Sequence, residues 1–493
     1  MKKKILALAM AILFVATIMI SCAEKDGGGQ TADTTTAQLD DVGEEVAAET
    51  QPLYNFPNVD YEGHEFIMLN TVETNWANVM IAPEELTGDV LNDAFYNRNA
   101  FVEEKLNIKI SDVKLPQGQL KTTAQTLISA GDHVYDMMMQ EIHDIAAPLT
   151  SGYFVNLYEV DNLQLSEKWW DQIVIDGAEI MGELYFASSD ISLFPFEATW
   201  MCYFNETLFD NYGIEYPYEA VREGKWTIDK MMECMKGGVS LNSESSFAYN
   251  AAGDSIYGIF THGQFMQVLL CSADEMLITK DANGVPSFTG GSERFYSVVN
   301  KIAEFTGTAG YYISRDTYKF SNPDDSASTE FKLGKVLFLS ETLGHINNLR
   351  DFEMEFGVLP APKYDEQQET YQSMIATWGT LLVTIPVTNP DLDRTGTILD
   401  LLAYQSYVSL MEPYYDTYLT QKGARNESSA EMLAIIRDTR TLNIGFMYGW
   451  TNTLLGTLTT KLNKGDANVA SDVAAQEVKI AANIEKTLST LEG

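Results

Sequence analysis

Five histidines, His64, His133, His143, His262 and His345, are the readiest bases and metal ligands in the chain, and none follows H-x-x-x-H or H-E-x-x-H spacing. A zinc hydrolase sets two imidazoles on one helix face through such spacing, so neither that enzyme nor a metal-specific binder is expected. Beyond Cys22 the thiols are Cys202, Cys234 and Cys271, an odd set without C-x-x-C spacing, which offers no metal cage and no obvious disulfide framework. No G-x-S-x-G elbow or P-loop occurs, so the usual devices for placing a nucleophile or cradling a phosphate are missing. Carboxylates number 70, too many for any pair to mark a glycosidase, which needs two at a set separation across a cleft. The chain reads as a binder rather than an enzyme, with no cofactor. Its informative groups are then flat aromatic plates, drawn from 7 Trp and 25 Tyr, and the carboxylates and amides that could bond hydroxyl groups beside them.

The elements that would position such groups alternate. "HEFIMLN" (His64 to Asn70) reads as a strand, and "LNDAFYNRNAFVEEKLNIKI" as an amphipathic helix running into a second strand at Ile108 and Ile110. "QLKTTAQTLISAGD" follows as a helix closed by Gly131, and "YDMMMQ" (Tyr135 to Gln140) as a buried strand. This is a β-α-β-α-β opening, and in such α/β sheets ligands sit beyond the C-terminal strand ends. The loops after Asn70 and Met139 are therefore candidate site loops, which singles out Trp76 after the first strand and Gln140 and Glu141 at the end of the third.

The N-terminus is a targeting element. Lys2, Lys3 and Lys4 precede an uncharged run from Ile5 to Ile20, the pattern of a secretory signal and too short for a spanning helix, which wants ~20 apolar residues. Met19, Ile20, Ser21 and Cys22 resemble a bacterial lipobox, with Met19 where Leu is usual, so cleavage after residue 21 would leave Cys22 as a lipidated N-terminus. Residues 22–53 are rich in Gly, Thr, Ala and acid, with too little apolar surface to offset ordering entropy, and read as a flexible tether. The formal charge is −38, and loss of the first 21 residues removes three lysines to leave −41. Such a surface repels nucleic acid and anionic lipid and takes a neutral or cationic ligand more easily than an anionic one.

The rest, from Tyr54 onward, is too long for one ordinary domain, so two lobes are expected. The segments "SAGDHVYDMMM", "LTSGYFVNL", "GELYFASSD", "FNETLFDNYGI", "EGKWTIDKM", "FKLGKVLFLSE" and "FGVLPAPKYD", in that order, resemble the extracellular solute-binding proteins of sugar ABC importers, family 1, the maltose-binding-protein-like group. The resemblance implies a two-lobed periplasmic-binding-protein-like α/β fold, with the ligand cleft between lobes joined by a multi-strand hinge. It divides the chain into an N-terminal lobe of 54–187 and 339–387 and a C-terminal lobe of 188–338 and 388–493. It also implies a monomeric lipoprotein on the extracellular face of the cell membrane, capturing a carbohydrate by hinge closure and delivering it to ABC transporter permease subunits. A peptide or other small solute, or a surface glycan that is bound or hydrolysed, are the alternatives.

A sugar offers neutral hydroxyls and flat C–H faces. Trp169, Trp170 and Trp226 sit at helix starts and are assigned to packing. By the resemblance, Glu197 and Trp200 follow the first crossing, which is expected at Tyr185 to Pro195. Glu341 ends an apolar strand returning toward the cleft, and an unpaired carboxylate there would be costly to bury in a core. Trp378 precedes "TLLVTIPVT", the expected third crossing, and Gln264 lies in the matching stretch of the second lobe. Trp450 in "IGFMYGWTNTLLG" resembles the family's C-terminal stacking aromatic, with glycine neighbours that allow close approach.

Overall fold

The computed structural model describes residues 53–491 apart from Glu73, Asn75, 319–325, 350–353 and 416–426. The signal segment, Cys22 and the tether up to Pro52 lie outside the described residues.

The strands are β1 (His64–Thr71), β2 (Ile108–Leu115), β3 (Met137–Glu141), β4 (Trp200–Asn205), β5 (Tyr257–Thr261), β6 (Ile278–Lys280), β7 (Pro286–Phe288), β8 (Tyr312–Ser314), β9 (Val336–Thr342), β10 (Phe356–Leu359), β11 (Ser373–Met374), β12 (Leu381–Thr384) and β13 (Arg440–Thr441). Two sheets carry the architecture, one ordered β12-β3-β1-β2 and the other β10-β4-β9-β5-β8. In the first, β1 runs parallel to β2 and β3, with His64 opposite Ile108, while β12 returns antiparallel along β3. In the second, β5 is parallel to β8 and β9, and β4 is antiparallel to β9 and β10.

Local chemistry explains the opening unit. The helix Val90–Leu106 starts where the Asp89 carboxylate accepts from the Leu91 and Asn92 N–H groups, and it ends at Asn107, whose φ of 50° turns the chain into β2. Leu91, Phe95, Val102 and Leu106 are buried on one stripe at spacings of four and seven. The helix Leu120–Ala130 stops at Gly131, whose φ of 76° only glycine adopts freely. Both parts of the expected β-α-β-α-β opening are thus present.

The expected division into lobe segments differs from the sheets. Within 339–387, the end of β9 and all of β10 pair in the second sheet. The helix Leu392–Ser409, at the start of 388–493, packs on Val90–Leu106 beside the first sheet. β12, expected as a crossing, is an edge strand of the first sheet. The reason is physical: β4, β9, β10 and β12 are buried along their whole length, and uninterrupted apolar strands carry no alternation that would say which sheet they join.

The chain leaves the first sheet through Ala187–Thr199 and returns through Ile375–Thr380. Ala187 and Val383 exchange both backbone hydrogen bonds, and Ala376 N–H donates to the Ala198 carbonyl at 2.8 Å. Arg98 fixes the outgoing crossing. Its guanidinium donates to the carbonyls of Ile81 at 2.6 Å and Ile191 at 3.1 Å and to Ser406 Oγ at 2.9 Å, so one buried side chain joins two helices, a loop and the crossing. Those partners are neutral, and burial alone pulls the guanidinium down to about 9 from its usual range.

Arg98→Met keeps the stem and removes every donor; Ile81 keeps the Asn99 amide, but the buried Ile191 carbonyl and Asn99 Oδ1 lose theirs, at about 1–3 kcal/mol each. Urea unfolding should show a loss on the order of 3 kcal/mol with an unchanged slope, and a loss under about 0.5 kcal/mol, the size of an inert surface change, would show that Arg98 does not hold the crossing.

Candidate functional site

The C-terminal ends of six parallel strands meet around one cavity of about 730 Å³. From the first sheet come Trp76 after β1, Gln117 and Gly118 after β2, and Glu141 and His143 at the end of β3. From the second come His262, Gln264 and Gln267 after β5, Arg315 after β8, and Glu341, Thr342, His345 and Asn348 at and beyond the end of β9. Trp200 at the start of β4, with Ala376, Trp378 and Gly379 from the returning crossing, completes the lining. Strand ends converge here because parallel sheets put their connecting loops, and hence their irregular polar residues, at one edge.

Each sheet contributes a carboxylate with an imidazole beside it. Glu141 Oε2 lies 3.3 Å from His143 Nδ1, and Glu341 Oε2 lies 3.7 Å from His345 Nε2, whose Nδ1 is 3.0 Å from Thr342 Oγ1. Both carboxylates are nearly buried, and each has an imidazole nitrogen within 4 Å. His262 packs edge to face against Trp200 at 4.9 Å. Burial pushes its imidazole down to about 4, with the Glu341 charge opposing, and keeps it neutral near pH 7.

The aromatic plates differ in support. Trp378 is 58 % exposed and stacks obliquely on His143 at 4.2 Å, so one face is backed and the other is open to solvent. Trp76 meets Phe194 edge to face at 4.9 Å. Its carbonyl oxygen approaches Gly344 so closely that a Cβ at that glycine would lie 2.0 Å away, a separation no side chain permits. Trp200 is 1 % exposed and shows little more than a ring edge.

Of the residues singled out in the sequence, the structure brings Trp76, Glu141, Trp200, Gln264, Glu341 and Trp378 to the cavity. It places three elsewhere. Gln140 is buried in β3 opposite Leu382, its amide donating to the Met139 carbonyl, because successive strand residues face opposite sides and Glu141 takes the cavity side. Glu197 is fully buried in the short helix Phe194–Glu197, where Oε2 accepts from the Asn78 N–H at 2.6 Å and holds the Trp76 loop from behind. Trp450 is 4 % exposed, stacked on Tyr448 at 4.8 Å, with Nε1 donating to Thr487 Oγ1 at 2.9 Å. Its plate is covered by the helix Ala470–Leu491, which supplies Thr487.

Sequence reasoning missed Gln117, His143, His262, Gln267, Arg315, Thr342, His345 and Asn348. Gln117 was within reach of the strand-end rule, since it follows β2 as Trp76 follows β1. The histidines were weighed only for metal spacing. Among the described residues no group of three or more His, Cys, Asp or Glu could hold a metal ion, and no helix is long and apolar enough to cross a membrane.

A family model described as "Bacterial extracellular solute-binding protein" matches residues 98–405, well over half of the chain. No curated protein matches. Among solved structures, the chain is similar to the GacH receptor of Streptomyces glaucescens, solved unliganded and with acarbose, at 14 % identity, 87 % of this chain, 99 % of that one and a TM-score of 0.52. It is similar to an ABC substrate-binding protein from Listeria monocytogenes in complex with cycloalternan, at 12 % identity, 87 % and 99 % coverage and a TM-score of 0.51. UspC of M. tuberculosis matches at 13 % identity over 85 % of this chain and all of its own, with a TM-score of 0.55. At these identities the likeness is one of fold, the two-lobed α/β architecture of the periplasmic solute-binding proteins.

The burial of Trp450 makes its removal a stability experiment. Trp450→Ala should cost ~3–5 kcal/mol, as large aromatic deletions in cores do. A melting temperature within a degree or two of the parent would return Trp450 to the surface of a cleft.

Proposed function

Because the chain belongs to the bacterial extracellular solute-binding proteins, we propose that it captures a carbohydrate in the cavity at the strand ends and delivers it to an ABC transporter permease. The observation that carries this reading is the lining itself: an exposed Trp378 plate backed by His143, set in one cavity with Glu141, Glu341, Gln117 and Gln264. An open indole face stacks on the C–H face of a pyranose, and carboxylates and amides bond its hydroxyls. Acarbose and cycloalternan in the similar structures are ligands of that kind. The reading is of a non-catalytic monomer.

The cavity takes residues from both sheets, so a ligand in it touches both and stabilises the arrangement that brings them together. Hinge closure about the crossings is the motion this implies, and the closed form would present both lobes to the permease. The lipid on Cys22 and the tether after it would keep the protein at the extracellular face of the membrane.

Two experiments test this. Thermal denaturation across a panel of neutral oligosaccharides should reveal at least one that raises the melting temperature, since a ligand bound only by the folded state stabilises it by mass action. Trp378→Ala should then weaken that ligand roughly ten-fold while leaving the unliganded melting temperature nearly unchanged, stacking being worth on the order of 1 kcal/mol beyond area burial. An unaltered affinity removes Trp378 from the site, and a panel without a single hit removes the carbohydrate. For the anchor, Cys22→Ala should release the protein to the medium or leave its signal uncleaved; a mutant still membrane-bound at mature size would contradict lipidation.

A further inference from the structure

Two polar atoms in the cavity's second-sheet wall have no protein partner. Trp200 is 1 % exposed, yet its Nε1–H meets no acceptor, and Gln267 Oε1 meets no donor. Buried polar groups in folded proteins are nearly always satisfied, because an orphan forfeits its hydration for nothing. Here the chain spends one donor and one acceptor in the same cavity. Between them in sequence stands His262, whose ring lies against Trp200 at 4.9 Å. The Gln264 N–H points at His262 Nδ1 from 3.3 Å, and an amide can only donate, so Nδ1 carries the lone pair and the ring proton sits on Nε2. His262 is therefore a second donor, and its burial holds it neutral.

Resting on the carbohydrate reading above, we propose that Trp200 Nε1–H, His262 Nε2–H and Gln267 Oε1 form a subsite for one uncharged hydroxyl of the ligand. A hydroxyl accepts from the indole and donates to the carboxamide through a single oxygen, which the closely spaced groups of one subsite require. An ether oxygen leaves Gln267 unpaired, and an ammonium leaves the indole without an acceptor. The carboxylates Glu141 and Glu341 serve the remainder of the ligand, so this wall is the part of the cavity that discriminates by hydrogen-bond direction rather than by charge. A seated hydroxyl would give both orphan atoms a partner, which makes the indole N–H a reporter of occupancy.

The experiment uses protein labelled with ¹⁵N on its tryptophan indoles, maltotetraose, cycloalternan and acarbose as probes, and Trp200→Phe to assign the Trp200 resonance. A binding probe should move the Trp200 Nε1–H signal downfield, and both Trp200→Phe and Gln267→Leu should weaken it roughly ten-fold by calorimetry, with Gln267→Leu unchanged in unliganded melting temperature. The methyl ether of the same sugar at the contacted hydroxyl should lose affinity for the parent protein but not for Gln267→Leu. If a probe binds, moves other indole signals and leaves Trp200 still, or if both variants bind as the parent does, the subsite is wrong while the carbohydrate reading stands. If none of the three probes binds, the oligosaccharide found by the thermal panel takes their place, and only a panel without a hit removes the carbohydrate reading and the subsite with it.

Discussion

Two stretches of backbone that pass side by side between the sheets set everything at the cavity. Ala187 and Val383 are bonded in both directions, at 3.1 and 2.9 Å, Ala376 is bonded to Ala198 further along, and Leu343, just past β9, is bonded to Thr199 of the outgoing stretch. These are main-chain bonds, indifferent to side-chain identity. They fix how far apart the strand ends of the two sheets stand. Arg98 then ties Ile191 of the outgoing stretch to the first-sheet helices, and the same stretch continues into the buried helix Phe194–Glu197. The short connecting segments either side of that helix, flanked by rigid packing, are where a rotation can be taken up with few dihedral changes.

Charge decides what can occupy the space so framed. The chain as a whole is strongly acidic at −38, and two of its carboxylates, Glu141 and Glu341, are buried against the cavity. Each has an imidazole within 4 Å, and Arg315 is a more exposed member of the lining. An anionic solute would meet both local carboxylates and the long-range field, whereas a neutral polyol meets only hydrogen-bonding partners. Electrostatics therefore narrows the ligand class even though no single residue names the ligand.

How much of this was legible in the sequence follows from what kind of signal each part carries. The β1, β2 and β3 unit was readable because its apolar spacing and the helix stop at Gly131 are local features. Trp76, Glu141 and Glu341 were readable because position at a strand end is a property of the chain. Sheet membership of β9, β10 and β12 was not, since it depends on pairing between residues far apart in sequence. Trp450 failed for a related reason: its glycine neighbours suggested open approach, but the helix Ala470–Leu491 from beyond it in the chain covers the ring.

Glu197 shows how a residue can matter to a site without lining it. Its carboxylate, expected against the ligand, instead accepts from Asn78 two positions beyond Trp76, while Phe194 from the same helix turn meets the Trp76 ring. On the opposite side the Trp76 carbonyl rests against Gly344, which follows β9 in the second sheet. One aromatic of the cavity is thereby gripped by the crossing and touched by both sheets. A rotation of one sheet against the other cannot leave that loop where it is, because Gly344 has no side chain to yield and the charge-assisted bond to Glu197 is too short to stretch without loss. The position of Trp76 thus depends on residues from both sheets and from the outgoing crossing, and among the described residues the crossings at Ala187–Thr199 and Ile375–Thr380 help to shape the cavity.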